Sequence, residues 1–126
     1  MANLLEETLE RMKGVGLGPE DIVFIGSADN EYSMAGWREF EALADVEYND
    51  GYGAPEVATD LEIRFQDGTH FVRAEYDGSE WWDAVMPRVN PESSTKPITR
   101  LIVSPEETGW MTISELAESD EAEAER

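Results

Sequence analysis

A chain of 126 residues, 40% of them hydrophobic, is long enough to bury one core and composed to fold rather than stay disordered. Its 29 acids against nine Lys and Arg leave a net charge of −20, a field that repels nucleic acid and anionic membranes, attracts basic proteins, and also suits plain solubility or a salty cytoplasm. The lack of cysteine excludes disulfides, thiol nucleophiles and thiolate zinc, and with His70 the sole histidine an all-protein histidine site is excluded too, so neither metal nor cofactor is expected.

The chain opens on MANLLEETLERMK, acidic and amphipathic where a secretion signal is basic and then apolar. No apolar run approaches the roughly 20 residues that span a bilayer, so a cytoplasmic location away from membranes is expected. Asn3 with Glu6 has the form of a capping box, and Leu4, Leu5, Leu9 and Met12 repeat at helical spacing. Gly14, Gly16, Gly18 and Pro19 end that helix. Although GVGLGP alternates glycines, it follows a helix and carries no lysine, unlike a phosphate-binding loop.

DIVFIGS, 21–27, reads as a buried strand. Ser33 is placed to cap a second helix carrying Met34, Trp37, Phe40, Leu43 and Ala44, which Gly36 weakens by about 1 kcal/mol. The stretch 47–56 reads as loop. From Asp45 to Glu56 it nearly spells a calcium loop, but the glycine falls at the seventh position instead of the sixth, so the match is read as accidental.

In the middle, LEIRFQ alternates Leu61, Ile63 and Phe65 with polar residues, and two Asp-Gly dipeptides then separate it from THFVRAEY and SEWWDAV. This pattern predicts a three-stranded antiparallel meander over 59–86. Two-residue turns would set Gln66 opposite Thr69, Ile63 opposite Val72, Leu61 opposite Ala74, Glu62 opposite Arg73, Arg64 opposite Phe71 and Phe65 opposite His70. At the second turn they would set Tyr76 opposite Ser79, Ala74 opposite Trp81 and Arg73 opposite Trp82. Trp81 then belongs to the core with Trp37, Phe40, Ile63 and Val72, while Trp82 lies outside as a cation–π partner for Arg73. The same register puts Asp83 opposite Val72 on the apolar face, which calls for a bulge or for a helix capped by Ser79.

PITRLIV, 97–103, reads as a further strand reached through the loop 87–96, and Thr112 with Glu115 as a capping box for a short helix through Leu116. The expected architecture is a single α+β domain over 1–117. It has an antiparallel sheet of about four or five strands, two N-terminal helices and a short C-terminal helix, and 118–126 forms an acidic flexible tail.

No catalytic set is complete. Glu75 and Glu80, opposed across the second turn, lack partners for glycosidase or cation chemistry, and His70 has no serine elbow to serve, so an enzyme is not expected. The remaining constellation is aromatic and acidic: Tyr48, Tyr52, Tyr76, Trp82 and Trp110, with Glu75, Asp77 and Glu80. Large rings within acids suit a protein interface or a stacking pocket.

IGSADNEYSMAGWREFEALADVEYNDGYG and ATDLEIRFQDGTHFVRAEYDGSEWW, together roughly 22–82, resemble a group of small, functionally uncharacterised tailed-bacteriophage proteins with an acidic aromatic EYDGSEWW-type hairpin. The resemblance implies an accessory protein of the host bacterial cytoplasm and brings no catalytic residues. The expected function is therefore non-enzymatic: an acidic mimic of nucleic acid, anti-CRISPR-like, that binds and inhibits a basic or nucleic-acid-binding host protein of defence or replication without itself binding nucleic acid. Its contacts would come from Glu75, Tyr76, Asp77, Glu80, Trp82, Tyr48 and Tyr52. Two other readings compete: sequestration of a signalling nucleotide stacked on Tyr52, Tyr76 or Trp82 beside Arg64 and Arg73, and an acidic domain adapted to solubility or salt.

Overall fold

The computed structural model describes residues 1–51, 53–85 and 96–124, with side chains to 121; Tyr52 and residues 87–95 of the expected loop lie outside the described residues. A two-residue strand β1 (Ala2–Asn3) leads into helix α1 (Leu4–Gly14), whose first turn is capped by Asn3, its side chain accepting from the Glu6 N–H at 3.0 Å. The buried face of α1 is Leu4, Thr8 and Met12, while Leu9 is exposed. Thr8 enters the core because its hydroxyl is satisfied there: it donates to the Leu4 carbonyl at 2.7 Å and accepts the indole N–H of Trp82 at 2.7 Å.

Strand β2 (Ile22–Ser27) forms where the apolar β-branched run predicts it, followed by the short β3 (Tyr32–Ser33), α2 (Trp37–Ala44) and β4 (Glu47–Tyr48). Ser33 does not cap α2; it lies in β3, and Gly36 occupies the cap position. Phe40 and Ala44 are buried, and Trp37, partly buried, stacks on Phe40 with ring centres 5.2 Å apart. β4 pairs with β1, Tyr48 opposite Ala2, which carries the Tyr48 ring to the side of α1.

β5 (Leu61–Phe65), β6 (His70–Tyr76) and β7 (Ser79–Val85) form the expected meander, but its two turns differ. Asp77 (φ 51°) and Gly78 (φ 89°) make a two-residue turn of the mirror-image type that suits a twisted hairpin, and the register beyond it is Tyr76↔Ser79, Ala74↔Trp81 and Arg73↔Trp82, as the sequence predicts. At the first turn the Phe65 N–H donates to the Thr69 carbonyl at 2.9 Å and the Gly68 N–H to the Phe65 carbonyl at 2.9 Å. Three residues, Gln66, Asp67 and Gly68, therefore reverse the chain, with Gly68 in the left-handed region (φ 90°) that a side chain resists.

That extra residue moves the pairing by one. Ile63 faces Phe71, Arg64 faces His70 and Glu62 faces Val72, in place of the expected Ile63–Val72, Leu61–Ala74, Glu62–Arg73, Arg64–Phe71 and Phe65–His70 pairs. A slip of one turns over every side chain of β6, and of β7 with it. Trp82 is consequently 2% exposed and Trp81 41% exposed, the reverse of the expected assignment, and Val72 is only partly buried. Asp83 still pairs with Val72, but on the exposed face, so β7 runs regularly to Val85 with neither bulge nor helix.

The expected strand over 97–103 reduces to β8 (Lys96–Pro97), paired parallel with β3, and an isolated bridge between Ile102 and Val57. The main sheet thus has six strands in the order β7-β6-β5-β2-β3-β8 and is mixed, where four or five antiparallel strands were expected. In helix α3 (Ile113–Ala124) the capping box forms in both directions, Glu115 N–H to the Thr112 hydroxyl at 3.3 Å and Thr112 N–H to the Glu115 carboxylate at 3.1 Å. Asp60 accepts from the Ile113 N–H at 2.7 Å, fixing the helix start to the entrance of β5. Beyond Leu116, where the sequence predicts its end, α3 continues to Ala124 through most of the expected tail. The architecture is α+β, with α1 on the Trp82 face of the sheet, and no helix among the described residues is long and apolar enough to cross a membrane.

Candidate functional site at the end of the second hairpin

Arg73 is the centre of the inner face of the hairpin. Its guanidinium donates to Glu7 of α1 at 3.0 Å, to Glu80 of β7 at 3.1 Å and to the Tyr48 hydroxyl at 3.1 Å, with its side chain 4% exposed. It lies 4.8 Å from the centre of the Trp82 ring, so the expected cation–π pair exists, but inside the protein. The Tyr48 hydroxyl in turn donates to Glu7. Glu80 also accepts from the backbone N–H groups of Glu56 at 2.7 Å and Val57 at 3.3 Å, which ties the loop before β5 to the edge strand β7.

Burial raises the Glu80 carboxyl pKa, against the Glu56 N–H and the Arg73 charge, which lower it. Burial likewise pushes the Tyr48 phenol up, opposed by Arg73. Burial works against the Arg73 charge, yet Glu7, Tyr48 and Glu80 hold its pKa above the ordinary arginine value. The node is therefore an interior ion cluster in which Arg73 holds both carboxylates. A cluster of this kind fixes geometry and leaves little for chemistry on an outside molecule.

Beside it opens a cavity of about 160 Å³, walled by Pro55 and Val57, by Arg73 and Glu75 of β6, by Glu80 and by Trp110. Trp110 is 58% exposed and has φ 61°, a left-handed conformation that costs a bulky residue about 1–3 kcal/mol. It is held there by its backbone N–H, which donates to the Pro55 carbonyl at 3.2 Å, and by the preceding Gly109 (φ 89°). A Cβ on Gly109 would meet the Ala54 Cβ at 2.8 Å and the Pro55 oxygen at 2.9 Å, so only glycine lets the two loops close and the ring stand over the cavity.

The outer face of the hairpin, by contrast, is open. Tyr76 is 76% exposed, and Trp81, opposite Ala74 and diagonal to Tyr76, shares that face with Asp83. Of the seven expected contact residues, Glu75, Tyr76 and Asp77 lie together at the exposed hairpin end, whereas Glu80, Trp82 and Tyr48 are buried around Arg73 and are not part of the exposed surface. Tyr52 is outside the described residues. The nucleotide reading loses Trp82 as a stacking surface, and the two arginines it leans on are occupied: Arg64 bonds Glu62 at 3.1 Å and Asn30 at 2.6 Å.

Sequence reasoning missed Glu7, Thr8 and Trp81. For Trp81 a signal existed: Asp83 on the apolar face is relieved by a one-residue slip as well as by a bulge or a helix, and that slip brings Trp81 out with it. Among the described residues no group of acids or His70 is arranged to hold a metal ion. Comparison with protein-family models, with curated proteins and with solved structures found no match.

Proposed function

We propose that this chain is a non-enzymatic binding protein that docks a basic partner protein on the acidic, aromatic end and outer face of its second hairpin. The observation that carries this reading is the placement of exposed Tyr76 and Trp81 on the hairpin with exposed Asp77 and Asp83, while exposed Trp110 stands beside exposed Glu75 at the cavity. Rings in a charged rim are the usual anchors of an interface. The charge supports it further: the chain carries −20, and Arg64 and Arg73 are buried against carboxylates, so neither presents a cation to an incoming basic partner. Lys96 is also paired, with Glu31 at 2.7 Å.

Such a field imitates the phosphate array that a basic groove expects and speeds encounter with it. Taken with the resemblance to tailed-phage accessory proteins, the partner we propose is a host protein of defence or replication that handles nucleic acid, inhibited in the bacterial cytoplasm. The test is retention of the tagged chain's partner from bacterial lysate at low and high salt, with duplex DNA as competitor. A captured nucleic-acid-binding protein that salt and DNA both release, and that Trp81→Ala together with Tyr76→Ala fails to capture, supports the proposal. Capture indifferent to DNA removes the mimicry, and capture indifferent to the double variant removes this face.

A further inference from the structure

We infer that the cavity under Trp110 is a socket for one arginine or lysine side chain of the docked partner, an inference that rests on the partner reading above. The wall chemistry selects the occupant. Glu75 and Glu80 bring two carboxylates to the cavity and Arg73 one cation, which Glu7 and Glu80 already hold at 3.0 and 3.1 Å. An anion therefore finds net negative charge there, and an incoming cation finds an unspent one. The Glu75 side chain makes no hydrogen bond or ion pair with any described residue, although it stands directly opposite Glu80 across the ladder. Like charges in that position destabilise a sheet, and a cation between them removes the repulsion.

The other walls suit the same occupant. Pro55 and Val57 offer apolar surface to an aliphatic stem, and the Trp110 ring offers its face to the charged head. The cavity, about 160 Å³, has the volume of about five waters, room for one long side chain and too little for a folded element. One further group points to a peptide chain as the source of the cation. The Nε of Arg73 is buried with no hydrogen-bond partner among the described residues, and Arg73 lines the cavity, so the wall holds an unmatched donor that the carbonyl of a docked backbone would satisfy on entering.

The experiment follows the Trp110 indole N–H signal of the full chain by NMR during titration with a capped Gly-Gly-Arg-Gly-Gly peptide. The controls are the same peptide with norleucine in place of arginine, and capped arginine amide as a free cation. The arginine peptide should move the Trp110 signal saturably, and Glu75→Gln should weaken binding about threefold. Glu75 is an exposed side chain, and an unchanged Trp82 indole signal in the variant verifies the fold. An equal response to the norleucine peptide overturns the cation socket, and arginine amide binding as tightly as the peptide overturns the docked chain as its source. If a basic partner is captured but the arginine peptide leaves Trp110 unmoved, the socket falls and the partner reading stands. A saturable Trp110 shift when lysate yields no basic partner keeps the socket and removes the partner reading.

Discussion

On one side of the β6–β7 ribbon Trp82 is 2% exposed, gives its indole N–H to Thr8 and lies under the Arg73 guanidinium; on the other, Trp81 is 41% exposed and faces Ala74. Around Arg73 the inner face commits Trp82, Glu80, Tyr48 and Glu7 to one another, with three oxygens around one arginine. On the outer face Tyr76, Trp81 and Asp83 share a surface that the rest of the protein leaves open. Composition does not distinguish the two faces, since both carry tryptophan and acid. What separates them is whether the acids have found their cation inside the protein. Where they have, the group serves the fold, and where they have not, it is available to a partner.

The sharpest way to break this comparison is to truncate each ring. Trp82→Ala should cost about 3–5 kcal/mol in urea unfolding, the range for large aromatics lost from a core. Trp81→Ala should stay within about 0.5 kcal/mol. Equal losses would mean that the outer ring is structural, and the proposed face would go with it. Arg73→Met should also cost about 3–5 kcal/mol, because it leaves Glu80 buried, and Glu7 partly buried, without their cation. Adding Glu80→Gln should recover part of that loss. If the double variant loses the full sum of the singles, the two residues are not coupled and the node is not an ion cluster.

Much of this fold was legible, and the part that was not turns on one residue. The cap at Asn3, the strand at 22–27, the box at Thr112 and Glu115 and the second turn all follow from local chemistry, and each is found where that chemistry puts it. The first turn is different: QDGT admits a two-residue turn at Asp67-Gly68 or a three-residue turn that includes Gln66. Local preference favours the shorter, and the packing of Ile63 and Phe71 on the core face selects the longer. The site was legible only at its rim. Glu75, Tyr76 and Asp77 are exposed whichever turn forms, but the burial of Glu80 and Tyr48 depends on Glu7 and on the loop at Glu56 and Val57, far away in sequence. The cavity itself exists because Gly109 closes on Ala54, a contact no local pattern announces.

A smaller effect sharpens the inner side of the comparison. Thr8→Val keeps the shape of the side chain and removes the acceptor of the Trp82 indole N–H, a bond of 2.7 Å in a dry site. The expected loss is about 1–3 kcal/mol, the cost of a buried donor left without a partner. Hydrogen exchange should show the loss directly, as the Trp82 indole proton becomes the faster to exchange. A neutral Thr8→Val would mean that neither bond of the Thr8 hydroxyl, from the Trp82 indole or to the Leu4 carbonyl, contributes to stability.

The smallest expected effect separates a buried arginine from a surface one that has just as many carboxylates. Arg100 bonds Glu107, at 2.8 Å through Nη2 and also through Nη1, and Asp120 at 3.1 Å, but its side chain is 23% exposed against 4% for Arg73. The Arg100 hydrogen bond, helped by the Ser104 N–H, lowers the Glu107 carboxyl from 4.5 to about 2. Because the folded value lies below the unfolded one, this group adds stability that is complete above pH 4.5 and is lost as pH falls toward about 2. Solvent reaches both partners, so the contribution at neutral pH should be no more than about 1 kcal/mol. Glu107→Gln should therefore flatten the acid limb of the stability curve between those values and barely change it at pH 7. If Glu107→Gln instead costs as much at pH 7 as Arg73→Met, position in the fold does not set the weight of an arginine, and the division between committed inner groups and available outer ones loses its physical basis.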